Sequence, residues 1–155
     1  MKVVIVDYRM GNIQSIVGAL KYLNVEDIVV SNDSYDIFSA NKIILPGVGS
    51  FATAMHNMKT LGLDKCLREA VIINKKPILG ICLGMQLMGE SSTENTSSSG
   101  LGFIKGRVCK FKKCNLKIPH IGFNQVNFAS NSKLFRGLDN FSDFYFVHSY
   151  QMISE

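Results

Sequence analysis

Pro77-Ile78-Leu79-Gly80-Ile81-Cys82-Leu83-Gly84-Met85-Gln86 is the stretch on which the fold turns. The apolar residues behind Pro77 read as a buried strand, and Met85-Gln86-Leu87-Met88 reads as the opening of a helix. Gly80 and Gly84 stand two residues either side of Cys82, the small-x-nucleophile-x-small spacing of a strand-to-helix elbow. A nucleophile in such a turn occupies strained backbone, and the strand and helix pass so closely that its flanking residues must be small. The thiol then lies at a helix N-terminus, where the dipole and free N–H groups favour thiolate. The N–H of Leu83 is placed to donate to an oxyanion. By spacing alone, Cys82 is equally a buried apolar thiol whose neighbouring glycines pack a βα turn.

Upstream of the elbow the pattern repeats. Val3-Val4-Ile5-Val6, Ile28-Val29-Val30 and Ile43-Ile44-Leu45 are short apolar runs. Between them Ile13, Ile16, Val17, Leu20 and Leu23 fall on one helical face, as do Met55, Met58 and Leu61, and then Leu63, Leu67, Ala70 and Val71. Strands apolar on both faces that alternate with amphipathic helices predict an α/β fold, a parallel or mixed central sheet covered by helices on both sides. Ser91 to Gly100 reads as a polar loop, the one low-complexity stretch. Beyond it, strand-like pieces around 108–111, 121–128 and 144–147 predict a mostly β extension of the same domain, residues 1–155 forming a single unit.

The chain has 155 residues, 46% of them hydrophobic and 19% charged. A chain of this size buries about two-thirds of its unfolded surface. Neither disorder nor a membrane span is suggested, and Met1-Lys2 followed by four apolar residues and Asp7 is too short for a signal peptide. A cytoplasmic location is expected. Cys66, Cys82, Cys109 and Cys114 make no CxxC pair and no zinc-type spacing with His56, His120 or His148, so no metal is expected. The net charge is +5, and much of it lies in Lys105, Arg107, Lys110, Lys112, Lys113 and Lys117. Without aromatic platforms or a recognition helix these read as a solvated hairpin, with partner docking next and no nucleic acid expected.

Pro46-Gly47-Val48-Gly49-Ser50-Phe51 follows the third strand. A glycine-rich turn there exposes backbone N–H groups at the carboxyl edge of the sheet, where α/β proteins bind ligands. Gly47, Gly49 and Ala52 also satisfy G-x-G-x-x-A. Pro46 intrudes, however, the motif follows the third strand rather than the first, and no acidic residue ends a strand at the right distance, so a dinucleotide is disfavoured and no cofactor is expected.

Asp7-Tyr8 with Met10-Gly11-Asn12, Leu45-Pro46-Gly47-Val48-Gly49, Gly80-Ile81-Cys82-Leu83-Gly84-Met85-Gln86, Pro119-His120-Ile121-Gly122-Phe123-Asn124-Gln125 and Phe146-Val147-His148-Ser149-Tyr150 occur in one order along the chain. Together they resemble the glutaminase subunits of imidazole glycerol phosphate synthase, class I (triad) glutamine amidotransferases of flavodoxin-like fold. The resemblance implies that Cys82 attacks the side-chain amide of glutamine, releasing ammonia and forming a glutamyl thioester that water hydrolyses. Leu83 would supply one oxyanion N–H and the Val48–Gly49 strand a second, after a flip. Gly49, Gln86, Ser149 and Tyr150 match glutamine-holding positions. Ammonia would pass to a (β/α)8 cyclase partner in a heterodimer of histidine synthesis. The His120 segment would lie near that interface, and His148 on the substrate-holding strand.

Three departures stand against the family pattern. The triad is completed there by a His-x-Glu pair in a G-x-Q-F-H-P-E segment beyond the His-Ser-Tyr motif, and none of the three histidines here is followed two residues later by Glu. A C-terminally incomplete domain, inactive alone, is the expectation. Arg9 stands where Gly is usual and Phe123 where Trp is usual, which points to a paralogue amidating a surface-polysaccharide sugar as the alternative acceptor. A catalytically dead docking module and a flavodoxin-like nucleotide binder are the rivals from other classes.

Overall fold

The four apolar runs are four parallel strands: β1 (Val3–Val6), β2 (Ile28–Ser31), β3 (Lys42–Leu45) and β4 (Ile78–Gly80), in the order β2-β1-β3-β4. The computed structural model describes residues 1–94, 97–112, 117–129 and 131–154. Lys113, Cys114 and Glu155, named above, lie outside them. The chain divides into two compact units, Met1–Lys110 with Gln151–Glu155, and Phe111–Tyr150.

Register explains why each strand is apolar on both faces. Val3 pairs with Ile28 and Lys42, and Ile5 pairs with Ile44. Val3, Ile5 and Ile44 meet Ile13, Ile16, Val17 and Leu20 of α1 (Ile13–Tyr22). Side chains alternate along a strand, so Val4, Val6, Ile43 and Leu45 point to the opposite face, and all four are buried. Leu23, expected on the α1 face, ends the helix instead and is 67% exposed.

Helix starts follow capping chemistry. Asn12 accepts from the Ser15 N–H at the head of α1, and Asp33 accepts from Tyr35 N–H at 2.7 Å to open α2 (Ser34–Ser39), a helix the periodicity did not reveal. Ser50 accepts from Thr53 N–H to open α3 (Phe51–Thr60), which buries Phe51, Ala54, Met55 and Met58. The next helical face divides: α4 (Leu63–Arg68) buries Leu63 and Leu67, then the backbone widens into a π-turn over Glu69–Ile73 that buries Ala70. α5 (Leu83–Leu87) follows Cys82 directly.

The polar stretch after residue 90 is not simply a loop. It carries β5 (Ser91–Ser92) and β6 (Ser98–Ser99), an antiparallel pair. Ser92 is fully buried and its hydroxyl accepts from the Glu94 N–H at 3.0 Å, which satisfies a polar residue that hydropathy places outside. β5 runs parallel to β7 (Gly106–Lys110) in a second sheet of order β10-β7-β5-β6, where β10 is Tyr150–Ser154. In the second unit, β8 (His120–Val126) and β9 (Ser142–His148) form a ribbon in register from His120↔His148 to Val126↔Ser142.

Ile5 is fully buried between β2, β3 and α1. Ile5→Ala is expected to destabilise the fold by about 2–5 kcal/mol, read as a lower urea midpoint at unchanged slope.

Candidate active site

Strand order reverses between β1 and β3, since the chain leaves β1 toward β2 on one side and returns to place β3 and β4 on the other. Loops that leave two such neighbouring strands diverge and open a crevice at the carboxyl edge. The loop after β1 is Asp7–Asn12 and the loop after β3 is Pro46–Ser50; the elbow after β4 closes the same edge.

Cys82 has φ 52° and ψ −116°, a left-handed conformation in a non-glycine residue, and it is exposed. Such backbone costs roughly 1–3 kcal/mol and persists where packing dictates it. The packing is explicit. A Cβ on Gly80 would lie 2.5 Å from Met85 Cα, and one on Gly84 would strike the Leu45 carbonyl oxygen, with Pro46 O only 2.8 Å away. The Leu45 carbonyl also accepts from the Ile81 N–H at 2.9 Å. Strand and helix therefore pass at backbone contact, and the thiol is held out at the bend. This removes the reading of Cys82 as a packed apolar thiol. Cys66 and Cys109 are the half-buried ones, and burial pushes the Cys66 thiol above its ordinary range.

Leu83 is the first residue of α5 and is buried, so its N–H has no acceptor one helical turn back. The Pro46–Gly49 segment comes up to this helix end through Gly47. A Cβ there would be 2.6 Å from Gly84 N and 2.8 Å from Leu83 Cβ. Val48 is 52% exposed. Gly49 has φ +98°, and a Cβ there would lie 2.8 Å from Met10 Cε, so a residue free to turn stands beside Val48. Gln86 lies one helical turn from Cys82, is largely buried, and its N–H donates to Cys82 O at 3.1 Å. Cys82, Leu83, Gln86, Val48 and Gly49 thus belong to one unit and one edge of its sheet.

Ser149 and Tyr150 belong to the second unit. Ser149 O accepts from Phe111 N–H at 3.1 Å, and Tyr150 O lies 2.7 Å from His148 Nδ1. His148 Nε2 lies 3.1 Å from His120 Nδ1, and the His120 ring stacks on Phe146. His120 is therefore a member of a ring cluster rather than an isolated base. His56 is exposed on α3.

Two residues at the edge were not singled out from sequence. Tyr8, inside a quoted motif, is fully buried and donates its O–H to Pro46 O at 2.6 Å. Burial first, and the charge of Cys82 second, push its phenol well above the ordinary tyrosine range. Its position at the carboxyl end of β1 was the available signal. Glu94, within the polar stretch just after β5, accepts from the Phe51 N–H at 2.8 Å; its sequence context carried no signal. Arg9 has φ 68°, steadied by its N–H donating to Asp7 Oδ1 at 2.9 Å, which accounts for glycine being usual at that position. No His/Cys/Asp/Glu group among the described residues is arranged to hold a metal.

A strained, exposed cysteine at the head of a helix, with backbone N–H groups beside it, is the arrangement that thiol-dependent acyl transfer uses. The sequence profile described as "Glutamine amidotransferase class-I" matches residues 4–155. A solved structure described as "Crystal structure of glutamine amidotransferase" shares the fold at TM-score 0.58 and 19% identity, covering 69% of this chain and 56% of that one. Imidazole glycerol phosphate synthase subunit HisH 1 of Campylobacter jejuni is 47% identical over 96% of this chain and 74% of its own length. Subunit HisH 2 of Methanococcus maripaludis is 47% identical over 99% of this chain and 75% of its own, and HisH of Aquifex aeolicus is 43% identical over 100% and 74%. The chain belongs to the HisH family of class I glutamine amidotransferases.

Gly84→Ala places a methyl group on the Leu45 carbonyl. It is expected to slow alkylation of Cys82 by a glutamine-shaped electrophile at least tenfold, roughly the effect of losing one hydrogen bond, while Gly18→Ala, with open space around it, leaves that rate unchanged.

Proposed function

We propose that this chain is the glutaminase half of an imidazole glycerol phosphate synthase. Cys82 attacks the side-chain carboxamide of glutamine, the N–H of Leu83 and one from the Val48–Gly49 segment hold the oxyanion, ammonia leaves, and water hydrolyses the γ-glutamyl thioester to glutamate. Attack, release and hydrolysis use no cofactor. The observation that carries this reading is the strained Cys82 held between Gly80 and Gly84, with the Gly47 segment against the same helix end. Proton transfer in the family runs through a His-x-Glu pair, and none of His56, His120 and His148 has that context. Gln86 and Gly49 hold the substrate in this proposal, Ser149 and Tyr150 match substrate-holding positions of the family, and the residues belong to one amidotransferase domain.

The partner is a (β/α)8 cyclase subunit that turns the ammonia into imidazole glycerol phosphate and aminoimidazole carboxamide ribotide, in the cytoplasm. Relatives carrying the imidazole glycerol phosphate synthase name at 43% to 47% identity favour this acceptor over a polysaccharide sugar. The β8–β9 ribbon offers a docking face: Ile121, Phe123, Tyr145 and Val147 share one side, and all are more than half exposed, Phe123 at 72%. No helix is long and apolar enough to cross a membrane among the described residues.

Free glutamine is expected to protect Cys82 from iodoacetamide, with asparagine giving no protection and Cys66 and Cys109 unaffected by either. Equal alkylation of Cys82 with and without glutamine would sink the glutaminase reading. In titrations against a histidine-pathway cyclase, Phe123→Ala is expected to weaken the complex by about 2 kcal/mol, roughly 30-fold, as for a buried aromatic anchor. An unchanged Kd would remove the ribbon from the interface.

A further inference from the structure

The loop after β1 has so far supplied only a frame, yet one of its side chains reaches the reaction centre. Tyr8 is fully buried, and its backbone carbonyl accepts from Asn57 Nδ2 of α3 at 3.2 Å. That bond ties the Tyr8 main chain to the helix that the Pro46–Ser50 loop leads into. Its hydroxyl donates to Pro46 O at 2.6 Å. The same oxygen would be 2.5 Å from a Cβ on Gly47, whose other nearest neighbours are Gly84 N and Leu83 Cβ. Phenol oxygen, Pro46–Gly47 backbone and the first turn of α5 therefore meet at one point.

From this junction we infer that Tyr8 is a positioning residue: its O–H···O=C bond to Pro46 sets the segment Pro46–Gly49 at the height where its N–H faces the carbonyl oxygen of glutamine bound to Cys82. The inference rests on the glutaminase reading. Pro46 has no N–H of its own, so its carbonyl is the one polar main-chain group by which a neighbour can hold that residue. The segment is pinned at Pro46 while Gly49, with φ +98°, remains the joint at which the peptide beside Val48 turns. A phenol shielded from water, with the charge of Cys82 acting on it as well, keeps its proton and so stays a donor. A tyrosine that merely filled the core would have no need of its hydroxyl, since phenylalanine fills nearly the same volume.

The test separates orientation from folding by using two electrophiles on the full chain. A chloromethyl ketone analogue of glutamine adds to Cys82 through its carbonyl, which places a negative oxygen against the backbone donors. Iodoacetamide reacts by direct displacement of its iodide by the sulfur and needs no such donor. In Tyr8→Phe the ketone rate at Cys82 is expected to fall about tenfold relative to the iodoacetamide rate, the equivalent of one misplaced hydrogen bond. Ile37→Val, a core change on α2, is expected to keep the wild-type ratio at comparable loss of stability. If Tyr8→Phe fails to fold, Asn57→Ala serves instead, because it removes the bond that ties Tyr8 to α3, and a fall in the same direction is expected. A ratio unchanged in the folded variant overturns the inference alone. A wild-type chain that shows no preference for the ketone over iodoacetamide overturns the glutaminase reading and the inference with it.

Discussion

Everything at the reactive edge depends on one close approach, that of the α5 backbone at Gly84 to the carbonyl of Leu45 at the end of β3. Two main chains in contact leave no volume for a side chain, so glycine is required there for a steric reason rather than for its flexibility. The approach forces the chain between Ile81 and Leu83 to bend sharply, and Cys82 absorbs the bend in a left-handed conformation. Its thiol is turned out to solvent while its neighbour Leu83 is buried. One packing contact thus exposes the thiol and holds the residues behind it.

The sheet order supplies the second condition. Because β1 and β3 are neighbours whose following helices leave on opposite faces, their loops are the ones that reach the crevice beside the elbow. Caps set the entry of each: Asn12 starts α1 and Ser50 starts α3, and Glu94 takes a further N–H at the head of α3. Gly11 and Gly49 allow the two loops to touch, since a Cβ on either would press on Pro46 or Met10. Through Tyr8 and Pro46 the two loops share a hydrogen bond as well as a surface.

The ribbon of the second unit separates two chemistries by strand alternation alone. One face carries His120, Phe144, Phe146 and His148, all half-buried; His120, Phe146 and His148 are linked by ring contacts and the His120–His148 hydrogen bond, and Phe144 meets the Phe135 ring. The other carries Ile121, Phe123, Tyr145 and Val147, exposed and apolar, with Phe123 and Tyr145 packed edge to face at 5.2 Å. Residues next to one another in sequence therefore face different surroundings, which is how a motif that pairs His120 with Phe123 holds both a ring cluster and an exposed aromatic face.

The amino-acid sequence by itself determined the α/β class, the four parallel strands and the identity of Cys82 as the residue at a bend, because strand runs, helical periodicity and paired glycines are local patterns that short-range sterics enforce. It also determined family membership, because ordered motifs survive as letters. It left open whether the thiol was packed or presented, since spacing describes a bend without saying what lies behind it; the backbone contact with Leu45 decided that. The short helix at Ser34–Ser39 and the strand pair Ser91–Ser92 with Ser98–Ser99 were illegible because caps and a single buried serine, rather than apolar periodicity, hold them. Tyr8 shows the limit most clearly. From the letters it is an aromatic residue after a strand, and its meaning lies in a hydrogen bond to a carbonyl 38 residues away, a contact that only the tertiary fold creates.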